Sequence, residues 1–411
     1  MSFKVLHLCY HERGGAGRSA LRLNNALRSL NIHSDLWVQY LSDEPNEFVF
    51  CRKNKLAILS KAFRELFKKL YRFVFKSNNK IAHSPALLRS TWPEFINNSD
   101  FDVVNLHWIG GEMISIKDLS RINKPIVWTV HDMWPFCGAE HVSYDHRWIE
   151  GYKLSNRNAE EKLLDINLIT WLRKKIYWRN IQFTFVCPST WMEKNIRQSK
   201  LFHNHAVKHI PNCLDLEFWH EKSKRDSRKG LDLTEEKMLG LFIMSGDVGS
   251  YHKGFDILIE SLINNNHKLN NFELIVVGKP NSIFKDINLP IKYIGSLKDD
   301  ISLRLIYSAI DFVVIPSRID NLPNTGVEAL ACSRPVVGFD IGGMRDIVSH
   351  LVNGYLVDRI DSDSLFKGIY WAINHSNDNQ IMKNCRDYAE TSFSPKNIAQ
   401  MYLDLYKKFL N

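Results

Sequence analysis

The chain has 411 residues, 45% of them hydrophobic and 24% charged, which is enough for two domains that each bury a core. Its net charge is +9; no apolar run reaches about eighteen residues and residue 3 enters a strand directly, so neither a transmembrane helix nor a signal peptide is expected. Seven cysteines (Cys9, Cys51, Cys137, Cys187, Cys213, Cys332, Cys385) are scattered, odd in number and without a Cys-x-x-Cys pair, which fits a reducing compartment and argues against a zinc site.

In chain order, the first half alternates apolar strands with helical stretches, with strands predicted at 3–9, 35–39, 103–107, 126–130 and 183–187. Crossovers of this kind suit βαβ units in a parallel sheet. Gly14-Gly15-Ala16-Gly17 follows the first strand as a glycine-rich loop. Gly15 to Ala20 formally satisfies the dinucleotide fingerprint Gly-x-Gly-x-x-Ala. His11-Glu12-Arg13 separates the strand from the glycines, however, and Asp35 begins the next strand where the fingerprint needs an acid at its end. Dinucleotide binding is set aside on those grounds.

Residues 52–80 hold ten Lys or Arg against the single acid Glu65, a local charge of +9 that leaves the rest of the chain balanced. Leu56, Leu59, Phe63, Leu66, Phe67, Leu70 and Val74 recur at helical spacing, with Lys61, Arg64, Lys68, Lys69, Arg72 and Lys76 interleaved. This predicts a basic amphipathic helix near 55–76. It could lie on an anionic bilayer surface, or pack on the core with a basic solvated face. No recognition motif accompanies the charge, so nucleic acid is not expected as a partner.

Two strand ends in this half carry polar and aromatic residues. The strand at 103–107 runs out in His107-Trp108, and that at 126–130 in His131-Asp132-Met133-Trp134-Pro135-Phe136, a His-Asp pair at the carboxyl edge followed by aromatics able to stack on sugar faces. After Ile210-Pro211-Asn212 comes a polar, basic stretch over 220–237, where the boundary between domains is placed. The expected organisation is 1–210, 211–390 and a C-terminal helix in 391–411.

The second half restarts the alternation, with strands predicted at 239–244, 273–277, 291–294, 312–315 and 335–339. Ser245 to Gly254 is a glycine-bearing loop in which Lys253 can neutralise a phosphate as a point charge. Val277-Gly278-Lys279 and Tyr293-Ile294-Gly295-Ser296 each end a strand with glycine at the sheet edge. Residues 316–337 say most. After the strand at 312–315 a helix should open near Asn324 and Thr325, so that free N–H groups and the helix dipole form a phosphate seat. Asp320 and Glu328, eight residues apart, flank that seat, a placement suited to hydroxyls of a sugar and a ribose. Asp361-Ser362-Asp363 superficially offers an Asp-x-Asp metal motif, but it precedes the helical run 365–373, and Asp363 reads as its N-cap.

The segment Asp320-Asn321-Leu322-Pro323-Asn324-Thr325, ending in Glu328-Ala329, resembles the Glu-x7-Glu signature of retaining glycosyltransferases of family 4, in the bacterial surface-polysaccharide and O-antigen branch. Lys253-Gly254, Gly14-Gly15-Ala16, His131-Asp132-Met133-Trp134-Pro135 and Ile341-Gly342-Gly343 are similar to further motifs of that family. The resemblance implies a GT-B α/β fold: two doubly wound Rossmann-like domains facing across a cleft, with the last helix crossing back to the first domain. It implies that Lys253 binds the donor diphosphate, that the Gly14, Gly15, Ala16 loop approaches it, and that His252, Gly278, Ser296, Asn321, Leu322, Asn324 and Thr325 border the donor. Glu328 would hold ribose hydroxyls, Asp320 a sugar hydroxyl and His131 the reacting face. His107, Trp108, Asp132 and Trp134 are the acceptor-side candidates. The chain departs from the family in three places: Asp320 replaces a Glu, His252 stands where Arg is frequent, and the cysteine-rich segment downstream of Cys137 is absent.

The expected activity is transfer of a hexose-type sugar from a UDP- or GDP-linked donor to a saccharide, lipid-linked or polyprenyl-linked, in lipopolysaccharide or surface-polysaccharide assembly. The resemblance implies retention of configuration, no cofactor and no catalytic metal, and a cytoplasmic enzyme peripheral at the inner face of the membrane. Two rival readings remain at this stage: a nucleotide-sugar epimerase or hydrolase of the same fold, and a membrane or nucleic-acid adaptor with an inactive site.

Overall fold

A computed structural model of the chain describes residues 3–42, 47–52, 63–64, 66–67, 81–159, 161, 164–244, 251–278, 289–297 and 299–409. The chain divides into two compact units, Met1–Cys213 with Lys396–Asn411, and Leu214–Pro395.

The first unit is built on β1 (Lys4–His11), β2 (His33–Tyr40), β3 (Val49–Cys51), β4 (Val103–Leu106), β5 (Ile126–Thr129), β6 (Phe183–Cys187) and β7 (Ala206–His209), in the order β3-β2-β1-β4-β5-β6-β7. All pairs are parallel. Every residue of β4, β5 and β6 is buried, as expected of central parallel strands covered on both faces. Helix α1 (Gly14–Ser29) crosses from β1 to β2. The helix Pro395–Lys407 belongs to this unit: Ile398, Ala399, Tyr402 and Leu405 pack with Val5, Leu27, Val103 and Val186. Its Tyr406 hydroxyl accepts a hydrogen bond from Asn105 Nδ2 at 2.6 Å, and Tyr402 Oη lies 3.0 Å from Thr129 Oγ1.

The second unit repeats the plan with β8 (Met238–Ile243), β9 (Phe272–Val277), β10 (Ile291–Tyr293), β11 (Phe312–Ile315), β12 (Val336–Phe339) and β13 (Gly354–Val357), in the order β10-β9-β8-β11-β12-β13. Apolar clusters cover both faces of its sheet. In each unit the order reverses beside the first strand, between β1 and β4 and between β8 and β11. Open sheets of this type bind ligands at the carboxyl ends of that strand pair. The fold is GT-B, with two Rossmann-like parallel-sheet domains.

Several expectations are corrected. The first unit ends at Cys213 because Cys213 is buried in its core, whereas Leu214 belongs to the second core and donates its N–H to Phe393 O at 3.0 Å. The second unit ends at Pro395. The polar stretch 220–237 is no linker but contains the helix Lys224–Gly230 of the second unit. Two of its basic residues serve a buried carboxylate: Arg228 pairs with Asp311 at 2.8 Å, Lys224 pairs with it too, and Leu239 N–H donates to it at 2.6 Å. The strands β3, β7 and β13, absent from the sequence reading, lie at sheet edges, where a short strand buries little and leaves a weak apolar signal. Asp361 rather than Asp363 caps the helix Ser362–His375, accepting from Ser364 N–H at 2.7 Å. Asp363 stands in the first turn.

Most of the basic window lies outside the described residues. Of those within it, Arg64 is buried and donates to the carbonyls of Arg89, at 2.7 Å, and Glu112, while Phe63 and Leu66 are 58% and 65% exposed. At these positions the arrangement is the reverse of a basic solvated face. Among the described residues, no helix is long and apolar enough to cross a membrane.

Candidate functional site

In the second unit, the loops after β8 and β11 meet at the switch point. Lys253 Nζ lies 2.7 Å from Asp320 Oδ2, and Ser317 Oγ donates to the same oxygen at 3.3 Å. The two loops are tied by Arg318, whose N–H donates to His252 O at 2.7 Å and whose guanidinium grips Asp256 at 2.8 and 2.6 Å while lying over the Tyr251 ring. Gly254 has φ +66°, and a Cβ there would come 1.8 Å from Pro316 O, so only glycine lets the loops close. Gly342, at φ +57°, plays the same part from the β12 side: a Cβ would meet Asp320 O at 2.0 Å, and Gly343 N–H donates to that oxygen at 3.1 Å. The Gly342-Gly343 turn therefore fixes the Asp320 backbone by close packing.

The helix Asn324–Ala331 follows directly, with Pro323 at its N-cap position and no side-chain cap. Asn324 and Thr325 in its first turn are partly exposed, whereas Asn321 and Leu322 are buried. Glu328, one turn in, is 3% exposed and accepts a hydrogen bond from the Tyr307 hydroxyl at 3.0 Å. Tyr307 carries no sequence signal that marks it as a partner of Glu328, because it comes from the preceding helix Asp300–Ala309. Burial and the neighbouring Lys253 hold the His252 imidazole below its ordinary range, so at pH 7 it is neutral and does not replace a cationic Arg. Gly278 N–H is bound to Gly295 O at 2.7 Å, and Ser296 is exposed beside it.

In the first unit, α1 begins at Gly14 itself, so Gly14, Gly15 and Ala16 form its first turn, with the two glycines exposed. Gly17 packs the helix on β1: a Cβ would lie 2.2 Å from His11 O. At the carboxyl edge of β4 and β5, a pocket is lined by His107, Trp108, His131, Asp132, Trp134 and His141, among others. Three imidazoles run in file from the pocket into the core: His7 Nδ1 lies 3.0 Å from His107 Nε2, and His107 Nδ1 lies 3.0 Å from His131 Nε2.

Asp132 accepts from Trp108 Nε1–H at 2.7 Å and from Trp134 N–H at 3.1 Å, and lies 2.6 Å from His141 Nδ1. Burial alone would raise its pKa; His141 and these donors outweigh it and hold the carboxyl below the usual range. His141 Nε2 in turn lies 2.7 Å from Ser84 Oγ, which accepts from Gly111 N–H at 2.8 Å. Ser84, His141 and Asp132 stand in three separate segments, so their spacing in the sequence does not mark them as a set. Its geometry is that of a latch rather than a nucleophile. Even a Cβ on Gly110 would sit 2.9 Å from Ser84 Oγ and 2.7 Å from His141 Cε1, leaving no room for an acyl group.

Trp134 is 2% exposed, donates Nε1–H to Ser84 O at 2.8 Å and has Lys174 Nζ 4.1 Å from its ring centroid. It shapes the pocket and offers no open face for stacking. Lys174, fully buried on the helix Ile166–Tyr177, donates to the carbonyls of Trp134, Cys137 (3.0 Å) and Gly138 (2.7 Å), pinning the loop that carries the His-Asp motif. Its place in Arg-Lys-Lys suggests surface, yet it follows Asn167, Thr170 and Trp171 on one helix face, a pattern legible in the spacing.

Comparison with known proteins gives the family. The family described as Glycosyltransferase Family 4 matches residues 13–218, half of the chain, and the family described as Glycosyl transferases group 1 matches residues 240–375. The chain belongs to glycosyltransferase family 4. Among curated relatives, a lipopolysaccharide 1,2-N-acetylglucosaminetransferase of Salmonella typhimurium is 23% identical over 223 residues, covering 50% of this chain and 58% of the relative. The chain spans about half the length of the first curated relatives it matches. Sucrose-phosphate synthase of Thermosynechococcus elongatus superposes with a TM-score of 0.67 at 17% identity, covering 99% of both chains. HepE of Anabaena, solved in complex with UDP-glucose, gives 0.65 at 16%, covering 98% of this chain and 99% of that one.

Within this family 4 chain, the two matched segments contain every candidate residue. Lys253, His252, Asp320, Asn321, Leu322, Asn324, Thr325 and Glu328 gather at the β8 and β11 edge of the second unit, with Gly278 and Ser296 at the end of β9 and beyond β10. His107, Trp108, His131, Asp132 and Trp134 gather in the first, and Gly14, Gly15 and Ala16 open α1. Among the described residues, no group of three or more His, Cys, Asp or Glu side chains is arranged to hold a metal ion.

Proposed function

We propose that the chain is a retaining, metal-independent hexosyltransferase that uses a UDP- or GDP-linked sugar and a saccharide acceptor, lipid-linked, in lipopolysaccharide or surface-polysaccharide assembly. The observation that carries the reading is the convergence of Lys253, Asp320 and the helix bearing Glu328 at the switch point of the second sheet. One cation and an uncapped helix start suit a diphosphate; two carboxylates beside them suit hydroxyls. The Salmonella relative, named for transfer of N-acetylglucosamine in lipopolysaccharide, and HepE, solved with UDP-glucose, support the donor class and the setting.

In the proposed reaction the bond between the anomeric carbon and the diphosphate oxygen breaks, and its electron pair stays on the diphosphate. The acceptor oxygen bonds the anomeric carbon from the same face and passes its proton to a diphosphate oxygen. Lys253 and the first turn of the helix Asn324–Ala331 stabilise the leaving charge in place of a metal. Glu328, held by Tyr307, takes ribose hydroxyls; Asp320 takes a sugar hydroxyl. The exposed Phe63 and Leu66, within a window of ten cations, support contact with an anionic membrane at its inner face.

Glu328→Gln tests the assignment. Turnover should fall at least about 100-fold, since charged hydrogen bonds to two hydroxyls contribute about 1.5–3 kcal/mol each. Unchanged product formation by the variant would remove Glu328 from the site and the reading with it.

A further inference from the structure

His7, His107 and His131 come from β1, the end of β4 and the end of β5, three adjacent strands, and join in one file with two 3.0 Å links. Burial pushes the His7 imidazole down to about 3, that of His107 well below its ordinary value and that of His131 to about 4, with Asp132 opposing only the last. All three rings are therefore neutral at pH 7, each with one N–H and one bare nitrogen. Two links then allow two arrangements only, because turning one ring's proton breaks the file unless the others turn with it.

If the donors point inward, the third N–H of the file falls on His7 Nε2. That atom is fully buried and, among the described residues, has no hydrogen-bond partner. A buried orphan N–H costs about 1–3 kcal/mol and is rarer in proteins than a bare acceptor. If the donors point outward, His7 donates to His107, His107 donates to His131, and the third N–H falls on Nδ1 of His131, a residue that lines the pocket and is partly exposed. A free imidazole prefers Nε2–H, which works the other way, but in water both nitrogens are solvated; here the dead end at His7 decides.

We propose that His7 and His107 are positioning residues that fix His131 in its Nδ1–H tautomer, so that it meets a pocket ligand as a hydrogen-bond donor and not as a base. The ligand group it takes is an oxygen lone pair, of a hydroxyl or a phosphoryl group; an ammonium or amide N–H is refused. The file carries no proton to solvent, because its inner end has nowhere to pass one. The ligand class rests on the proposed transferase reading; the tautomer does not.

The test is a two-bond ¹H–¹⁵N spectrum of the full chain labelled at histidine, without substrate, at pH 7, with His131 assigned by its loss in His131→Gln. A protonated Nδ1 and a bare Nε2 on His131 are expected. An Nε2–H tautomer, or an imidazolium at this pH, overturns the proposal. In His107→Phe the file is cut, and His131 should move to a tautomer mixture. A pure Nδ1–H signal surviving that change would show that something other than the file holds the ring. Should this variant fail to fold, the wild-type spectrum decides alone. Absence of transferase activity with the Nδ1–H signal present would count against the function and leave the tautomer standing.

Discussion

Removing the Asp320 carboxylate should have opposite effects on a free nucleoside diphosphate and on a nucleotide sugar. Lys253 and Asp320 pair at 2.7 Å with side chains 27% and 17% exposed, so the pair is neither fully solvated nor deeply buried. Exposed pairs contribute about 0.2–1 kcal/mol, and this one belongs near about 1 kcal/mol after allowing for solvent screening. A diphosphate that takes Lys253 as its partner must displace Asp320. In Asp320→Asn that competition is gone, and UDP or GDP should bind about fivefold more tightly. A sugar-bearing donor loses a charged hydrogen bond to a hydroxyl, a loss of about 1.5–3 kcal/mol, so kcat/KM should fall about 10- to 100-fold. Calorimetric titration with UDP and GDP, beside steady-state kinetics with the sugar donor, reads both effects. Weaker nucleotide binding by the variant would refute the reasoning, because it would mean that Asp320 holds Lys253 ready for phosphate rather than competing with it.

Gly342→Ala places a Cβ 2.0 Å from Asp320 O at a positive φ, so it should destabilise the chain by about 1–3 kcal/mol and lower turnover; chemical denaturation and kinetics check both. Lys174→Met orphans three buried carbonyls and should cost about 2–4 kcal/mol. Urea titration of both proteins reads that difference, and equal stability would contradict it. Replacing both Phe63 and Leu66 by Ser should weaken sedimentation with anionic vesicles about tenfold or more, while binding unchanged from wild type would count against membrane contact.

What could be read in the sequence follows from range. The central strands stand out as apolar runs because both faces of their sheets are covered, and the residues just past them, His131, Asp132 and Asp320, are placed by the same signal. Edge strands such as Ala206–His209 bury one residue of four and leave little to read. Partners drawn from distant segments are equally silent: His7 meets His107 across 100 residues, and Ser84 meets His141 across 57. The stretch 220–237 misleads for a definite reason, since Lys224 and Arg228 look solvated but answer Asp311, whose burial shows only once β11 is in place. Asp363 lies two residues past the true cap, Asp361, and the sequence marks both acids alike as the start of the same helix.

The most direct test of the transferase reading is turnover of UDP-, GDP- and dTDP-sugars by the purified chain in EDTA, with and without mixed polyprenyl-linked saccharides. Release of the nucleoside diphosphate from one UDP- or GDP-linked donor, stimulated by acceptor and unaffected by EDTA, is the predicted result. No turnover of any donor, together with no thermal stabilisation by any nucleotide, would contradict it.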